Sequence, residues 1–262
     1  MLIRSWNLFH GNSVPPQREA FLDEMIRLAT TGDPDVLCLQ ELPAWALGRF
    51  TAGDVAARPA IGPLPITAAL GRRLTEPNHG LLRSAFSGQG NAVQVSPRLT
   101  VLSHESLTLN ARRFRAAQAR ALGLGPVGRL GWAKERRIVQ SVRLAEPGGR
   151  TILVANMHCT SYPADERLAD AEILRAAWFA VSTAAPEDVV VLAGDFNARA
   201  ARSRTLRDLT SPEWGFTAPG PGIDHILVRG AESTPVRRWP DDQRQHGEHL
   251  LSDHAPVELE IS

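Results

Sequence analysis

Val189-Val190-Val191-Leu192-Ala193-Gly194-Asp195-Phe196-Asn197 is the stretch that decides the fold, an apolar run delivering a short polar motif. A brief run of Val and Leu reads as a buried strand, and the ligands of α/β sheets gather at the carboxyl ends of such strands. Working outward, five more polar motifs adjoin apolar runs. They are Ser5-Trp6-Asn7, Gln40-Glu41, Asn156-Met157-His158, Ile223-Asp224-His225 and Ser252-Asp253-His254. One such motif would mean little. Six, spread from the first expected strand to the last, imply one polar site assembled from the whole chain.

The opening reads as β-α-β. Leu2 to Leu8 is a strand, a helix opens at Pro16 with Phe21, Leu22, Met25, Ile26 and Ala29 on its buried face, and Gly32-Asp33-Pro34 stops it. Val36 to Leu39 is the next strand, so Asn7 and Glu41 stand at the carboxyl ends of neighbouring strands. Residues 51 to 90 are expected to be the most irregular part, with a helix from Ile66 to Leu74. Further strands are expected at Ala92 to Val95, Thr100 to Leu109, Arg137 to Leu144 and Thr151 to Met157, the last two joined at Gly148-Gly149. A second helix covers Ala164 to Val181, with Leu168, Ala171, Leu174, Trp178 and Val181 facing inward. Strands Ile223 to Val228 and Pro256 to Ile261 complete the chain. No repeat or linker divides it, so residues 1–262 read as a single domain.

Bulk composition bounds the answer. A hydrophobic content of 43% in 262 residues supports a sizeable core without staples. The net charge of +1 argues against a whole-molecule field for gripping nucleic acid, though not against a local basic groove. Cys38 and Cys159 sit in apolar runs and read as reduced and buried. The amino terminus shows no charged-then-apolar leader, and no apolar stretch approaches the ~20 residues that span a bilayer, so a cytoplasmic protein is expected.

Cleaving a phosphate ester in water takes a hard cation, a positioned water and cationic donors for the developing charge. Asn7, Glu41 and Asp253 are oxygen ligands of the kind Mg2+ accepts, with Mn2+ as a substitute. Asp195 and Asn197 can address one point from one turn. His158 and His254 can donate to phosphoryl oxygens or shuttle protons, and Asp224 can orient an imidazole. In this order, Trp-Asn, Gln-Glu, Asn-x-His, Gly-Asp-Phe-Asn, Ile-Asp-His and Ser-Asp-His-x-Pro-Val, the chain resembles the endonuclease/exonuclease/phosphatase superfamily, with its deoxyribonuclease-I-like fold, from Asn7 to Val257. The resemblance implies a four-layered α/β sandwich, two mixed β-sheets packed face to face with helices outside. It also implies that Asn7 and Glu41 hold the Mg2+, that Asp253 lies close enough to share it, and that Asp195 orients or deprotonates the attacking water. Asn197 would contact the scissile phosphate, His254 would pair with Asp224, and His158 would act from the other side. One departure stands out. Secreted deoxyribonucleases of the superfamily pair the histidine of Asn-x-His with a glutamate, whereas the counterpart here falls on Asn91. A neutral partner favours a charged His158 less, which makes it an electrostatic or hydrogen-bonding group rather than a strong general acid.

The expected activity is therefore a Mg2+-dependent phosphoesterase, with a nuclease acting on phosphodiesters ahead of its rivals. The alternative is a phosphatase or phospholipase-type phosphodiesterase acting on inositol phosphates, sphingomyelin or another small ester. The membrane version is weakened by the lack of an obvious exposed apolar hairpin. Abasic-site specificity is disfavoured because Pro219-Gly220-Pro221-Gly222 replaces the expected aromatic. A catalytically silent binding module is the remote third reading. Arg112, Arg113, Arg115, Arg120, Arg129, Lys134, Arg136 and Arg137 oppose only Glu135 in one segment. That segment reads either as a solvated loop or as an edge that tracks the phosphates of a nucleic acid. His225 reads as structural, His246 and His249 as solvated loop, and Trp45, Trp178 and Trp239 as packing residues.

Overall fold

The computed structural model describes residues 1–17, 20–50, 55–61, 89–133 and 135–262; the expected helix from Ile66 to Leu74, Lys134 and the side chain of Trp45 lie outside these. The strands of the first half are Leu2–Asn7 (β1), Ser13–Val14 (β2), Val36–Pro43 (β3), Val55–Ile61 (β4), Gln89–Val95 (β5) and Thr100–Thr108 (β6). Those of the second half are Ile138–Ala145 (β7), Thr151–His158 (β8), Val189–Asp195 (β9), Asp224–Arg229 (β10), Arg237–Arg238 (β11), Gln245–His246 (β12), His249–Leu251 (β13) and Val257–Glu260 (β14). The helices are Leu22–Ala29 (α1), Arg112–Ala121 (α2), Pro126–Ala133 (α3), Arg167–Thr183 (α4) and Arg204–Leu209 (α5).

Two mixed sheets carry the fold. One runs β11-β14-β1-β3-β5-β4 and the other β10-β9-β8-β7-β6, while β12-β13-β2 forms a small third sheet. In the two large sheets, β1 with β3 and β8 with β9 pair in parallel. Side chains alternate between faces along a strand. In β8, Ile152 and Val154 point between the sheets and pack with Ile3, Val36 and Val93, whereas Leu153, Ala155 and Met157 face α4. Both faces are covered, which is why these strands read as continuous apolar runs. On the far side, Leu22 and Met25 of α1 pack with Leu37 and Leu39. Helix, sheet, sheet and helix make the four layers of the sandwich.

Near the carboxyl ends of β3 and β8 the space between the sheets turns polar. The Gln40 amide donates to Asn156 Oδ1 at 2.7 Å and to Ser5 Oγ at 3.1 Å. Asn156 Nδ2 in turn donates to the Leu39 and Ala92 carbonyls at 3.0 and 2.9 Å. The Asn156 bonds cross from sheet to sheet, and losing one buried partner costs about 1–3 kcal/mol.

Several expectations change. Helix α1 begins at Leu22 rather than Pro16, because Ser13 and Val14 pair with β13 and Asn12 Oδ1 accepts from the Ser13 and Gln17 amides. The inner face of α4 is Leu168, Ala169, Ile173, Ala176, Ala177 and Ala180, leaving Leu174 and Trp178 exposed. Small alanines let the helix lie close on the sheet. Glu172, accepting from Trp132 Nε1 at 2.5 Å and from the Thr160 amide at 2.7 Å, fixes its rotation. Trp178 instead meets Trp214 edge-on, with centroids 5.0 Å apart. Most of the basic segment, read as a solvated loop or a phosphate-tracking edge, is the helix pair α2 and α3, and α3 exposes Val127 and Leu130, an apolar surface the sequence did not lead us to expect. His246 and His249 are not free loop; both imidazoles pack against Phe21 with centroids 5.6 Å away. Cys38 and Cys159 are buried free thiols. Among the described residues no helix is long and apolar enough to cross a membrane.

Candidate active site

Strand register assembles the site. His158 stands opposite Asp195 across β8 and β9, and Asp224 stands opposite Asp195 across β10 and β9. Asn7 lies opposite Gln40, one residue before Glu41. Gly194 makes the approach of β8 to β9 feasible, since a Cβ there would lie 2.0 Å from the Met157 carbonyl oxygen and its φ is +138°.

Asp195 is the centre. It is buried, and its Oδ2 accepts from Asn7 Nδ2 at 2.9 Å and Asn197 Nδ2 at 3.0 Å, while Oδ1 accepts from the Asn197 amide at 2.9 Å. Burial pushes its pKa up to about 7, against the pull of His254 and of these hydrogen bonds. His254 Nε2 lies 3.9 Å from Asp195 Oδ2, and its Nδ1 meets Asp224 at 2.9 Å. Burial alone would lower the His254 pKa. The Asp195 charge and the Asp224 hydrogen bond outweigh it and raise the value to about 10, so the ring is a cation. The motif residues also hold one another, Trp6 Nε1 donating to the His254 carbonyl at 2.9 Å and Ser252 Oγ to the Asn7 carbonyl at 2.7 Å.

Glu41 sits where β3 shifts register between Leu39 and Leu42, with φ +53°. The irregularity aims its carboxylate toward the site: Oε1 is 3.6 Å from His158 Nε2 and Oε2 is 3.2 Å from His10 Nε2. Asp253 stands on the solvent side with its side chain 44% exposed, Oδ1 being 4.0 Å from His254 Nε2. His225 is structural, its Nε2 2.9 Å from the Ala198 carbonyl oxygen and its ring edge-on to Phe196. Of the six non-glycine residues with positive φ among those described, Phe9, His10, Glu41, Asn197 and Ser252 lie in these motif loops and only Asp33 lies apart. Each costs about 1–3 kcal/mol, so backbone strain is concentrated at the site.

His158 is held differently from His254. Its Nε2 lies 3.5 Å from Asp195 Oδ2, and Arg137 Nη1 lies 2.9 and 2.7 Å from its two ring nitrogens. Burial, then Arg137, then His254 and His10, lower its pKa well below the ordinary histidine value, so the ring is neutral. Arg137 is itself buried and is steadied by Glu135 Oε2 at 2.7 Å, which also accepts from Gln89 Nε2 at 3.0 Å. Arg137 and His10 are site residues that sequence reasoning missed. In the sequence Arg137 is only the end of a basic run, and its place just before β7, beside the end of β8, reveals its contact with His158.

The donor set suits a hard divalent cation. Asp195, Asp224 and His254 bring one ligand atom each within 4.8 Å of one another. Their geometry admits a cation held by two carboxylates and one imidazole. Asn7, Glu41 and Asp253 carry further oxygens of the kind such a cation accepts, beside an Asp195 carboxyl that burial keeps above its usual pKa.

A family model described as "Endonuclease/Exonuclease/phosphatase family" matches residues 5–254. No curated protein matches the sequence. Among solved structures, an endonuclease/exonuclease/phosphatase from Bacteroides vulgatus is similar at 16% identity and a TM-score of 0.66, covering 100% of this chain and 98% of that one. A humanized D. rerio TDP2 gives 14%, 0.64, 100% and 98% on the same measures. The human nocturnin catalytic domain with bound sulfate gives 16%, 0.62, 100% and 93%. At these identities the likenesses establish the fold.

Proposed function

The chain belongs to the endonuclease/exonuclease/phosphatase family of phosphoester hydrolases, and from that premise we propose that it is a Mg2+-dependent phosphodiesterase acting on nucleic acid. The observation that carries the reading is Asp195, a buried carboxylate gripped by Asn7 and Asn197 and approached by two histidines, His158 and His254.

In this mechanism Asp195 orients the attacking water and takes its proton. The water oxygen bonds to phosphorus as the ester P–O bond breaks, and the departing oxygen leaves with the bonding pair and takes a proton from bulk water. Imidazolium His254, held by Asp224, meets the charge that builds on the phosphoryl oxygens, while Asn197, whose amide donates to Asp195 and to the Cys159 carbonyl, keeps Asp195 oriented. On the other flank neutral His158 acts as a hydrogen-bonding group, and the permanent charge beside it belongs to Arg137. Asn7 and Glu41, with Asp253 from the solvent side, would hold Mg2+, which when bound supplies Lewis-acid neutralisation of the phosphoryl oxygens. A second reading, a phospholipase-type diesterase, is favoured by the exposed Val127 and Leu130 of α3.

Hydrolysis of plasmid DNA, single-stranded DNA, RNA, bis-p-nitrophenyl phosphate, inositol phosphates and sphingomyelin, with Mg2+ and with EDTA, tests the assignment. Nucleic acid cleavage should vanish with EDTA, return with Mg2+ or Mn2+, and fall by about 10³-fold or more in Asp195→Ala. Turnover confined to lipid or small esters would move the protein to the second reading. If no metal-dependent turnover sensitive to both Asp195→Ala and Glu41→Ala appears on any substrate, the chain is a binding module.

A further inference from the structure

The excursion between β6 and β7 contains a pocket of about 440 Å³ between α2 and α3. Arg112, Arg115 and Arg120 of α2 and Arg129 of α3 line it. Among the described residues none of the four is paired with a carboxylate. The recorded bonds of Arg115, Arg120 and Arg129 go to the backbone carbonyls of Trp132, Ala116 and Leu124. Ala116, Ala119 and Ala133 also line the pocket, so the space between the guanidiniums is left open rather than filled by side chains. In a protein of net charge +1, four unpaired cations around one concavity repel one another, and a multiply charged anion would relieve that repulsion.

The pocket is tied to the catalytic edge. Thr108 pairs with Ile138, and Val139 with Met157, so α2 leaves and α3 returns at the sheet end that carries His158. Trp132, in the pocket wall, donates to Glu172, which also accepts from Thr160, two residues beyond His158. Asn110 donates to the Trp132 and Glu135 carbonyls and accepts from the Arg137 amide. One polar scaffold therefore carries both the pocket wall and the arginine that touches His158.

We propose that this pocket binds a second phosphoryl group of the substrate, remote from the bond being cleaved. The proposal rests on the phosphodiesterase reading above and narrows its substrates to esters carrying at least two phosphoryl groups. Guanidinium forks match phosphate oxygens in geometry and charge. The exposed Val127 and Leu130 are not among the lining residues, so the pocket is distinct from the apolar surface of α3. That separation favours a phosphoryl group in solution over a bilayer.

Calorimetric titration of Asp195→Asn protein with adenosine 3′,5′-bisphosphate and with a single-stranded DNA octamer tests the pocket. Arg112→Gln/Arg120→Gln removes two charges from it, Arg113→Gln/Arg136→Gln removes two exposed charges outside it, and Arg112→Lys/Arg120→Lys keeps the charge but loses the fork. The pocket pair should weaken binding by about tenfold or more, the lysine pair by less, and the outside pair by no more than about twofold. Loss for both probes identifies a small bisphosphate as sufficient, and loss for the octamer alone identifies a strand phosphate. Equal weakening by the pocket and outside pairs would overturn the proposal in favour of a diffuse field. Unchanged affinity for both probes, with loss of sedimentation on phosphatidylserine vesicles or without it, would also overturn it. Wild-type hydrolysis of bis-p-nitrophenyl phosphate, a substrate with one phosphoryl group, reports on the phosphodiesterase reading by itself, so the two failures are distinguishable.

Discussion

His158 and His254 stand 3.5 and 3.9 Å from the same oxygen of Asp195, yet their pKa values shift in opposite directions. The difference lies in the next neighbour. His254 meets Asp224, and the carboxylates of Asp195, Asp224 and Asp253 outweigh burial to raise its pKa to about 10. His158 is more deeply buried and meets Arg137, so burial and a like charge both lower it. A shared residue type and a shared partner thus yield one cation and one neutral ring. On the His158 side the positive charge has moved one residue back, to Arg137.

The contrast can be broken most forcefully from the charged side. His254→Gln removes the imidazolium, and kcat on a diester substrate should fall by about 10²–10³-fold with little change in KM. A loss below tenfold would mean that His254 does not carry the transition-state charge. Asp224→Asn is subtler. It removes one of the three carboxylates that raise His254, so the pKa falls from about 10 toward the ordinary histidine value, and activity that needs the imidazolium is lost at lower pH than in wild type. A pH–rate profile should show the alkaline limb moving down, with about a tenfold loss at neutral pH; an unmoved limb would assign it to another group. Arg137→Gln should have the smallest effect, a loss of about tenfold in kcat or less. It also removes a like charge from His158, whose imidazole titration by NMR should move upward while burial still holds it below the ordinary value. A His158 titration that stays put would show that Arg137 does not set its charge state.

Much of the fold was legible because strands covered on both faces leave unbroken apolar runs, as at Val189–Asp195 and Thr151–His158. The ends of those runs then pointed to Asn7, Glu41, His158 and Asp195 together. The first residues of two motifs carried a second meaning. Gln40 and Asn156, adjacent to or two before a site residue, are the buried amides that join the sheets, and nothing local distinguishes a polar residue facing a partner sheet from one facing substrate. The helix α2 had a readable signal, since Ala and Arg are strong helix formers, but an apolar stripe was missing because only Ala119 is buried. On α4 the large residues Leu174 and Trp178 drew the inner face to the wrong side, whereas close packing selected the alanines.

By itself the sequence determined the family of folds and set the motif residues at the ends of strands, because strand periodicity is a local property. Tertiary structure alone decided the charge state of each histidine, the entry of Arg137 and His10, and the gathering of four arginines around one pocket. The physical reason is that ionisation depends on burial and on neighbours within a few ångströms, and those neighbours come from strands and helices far apart in the chain.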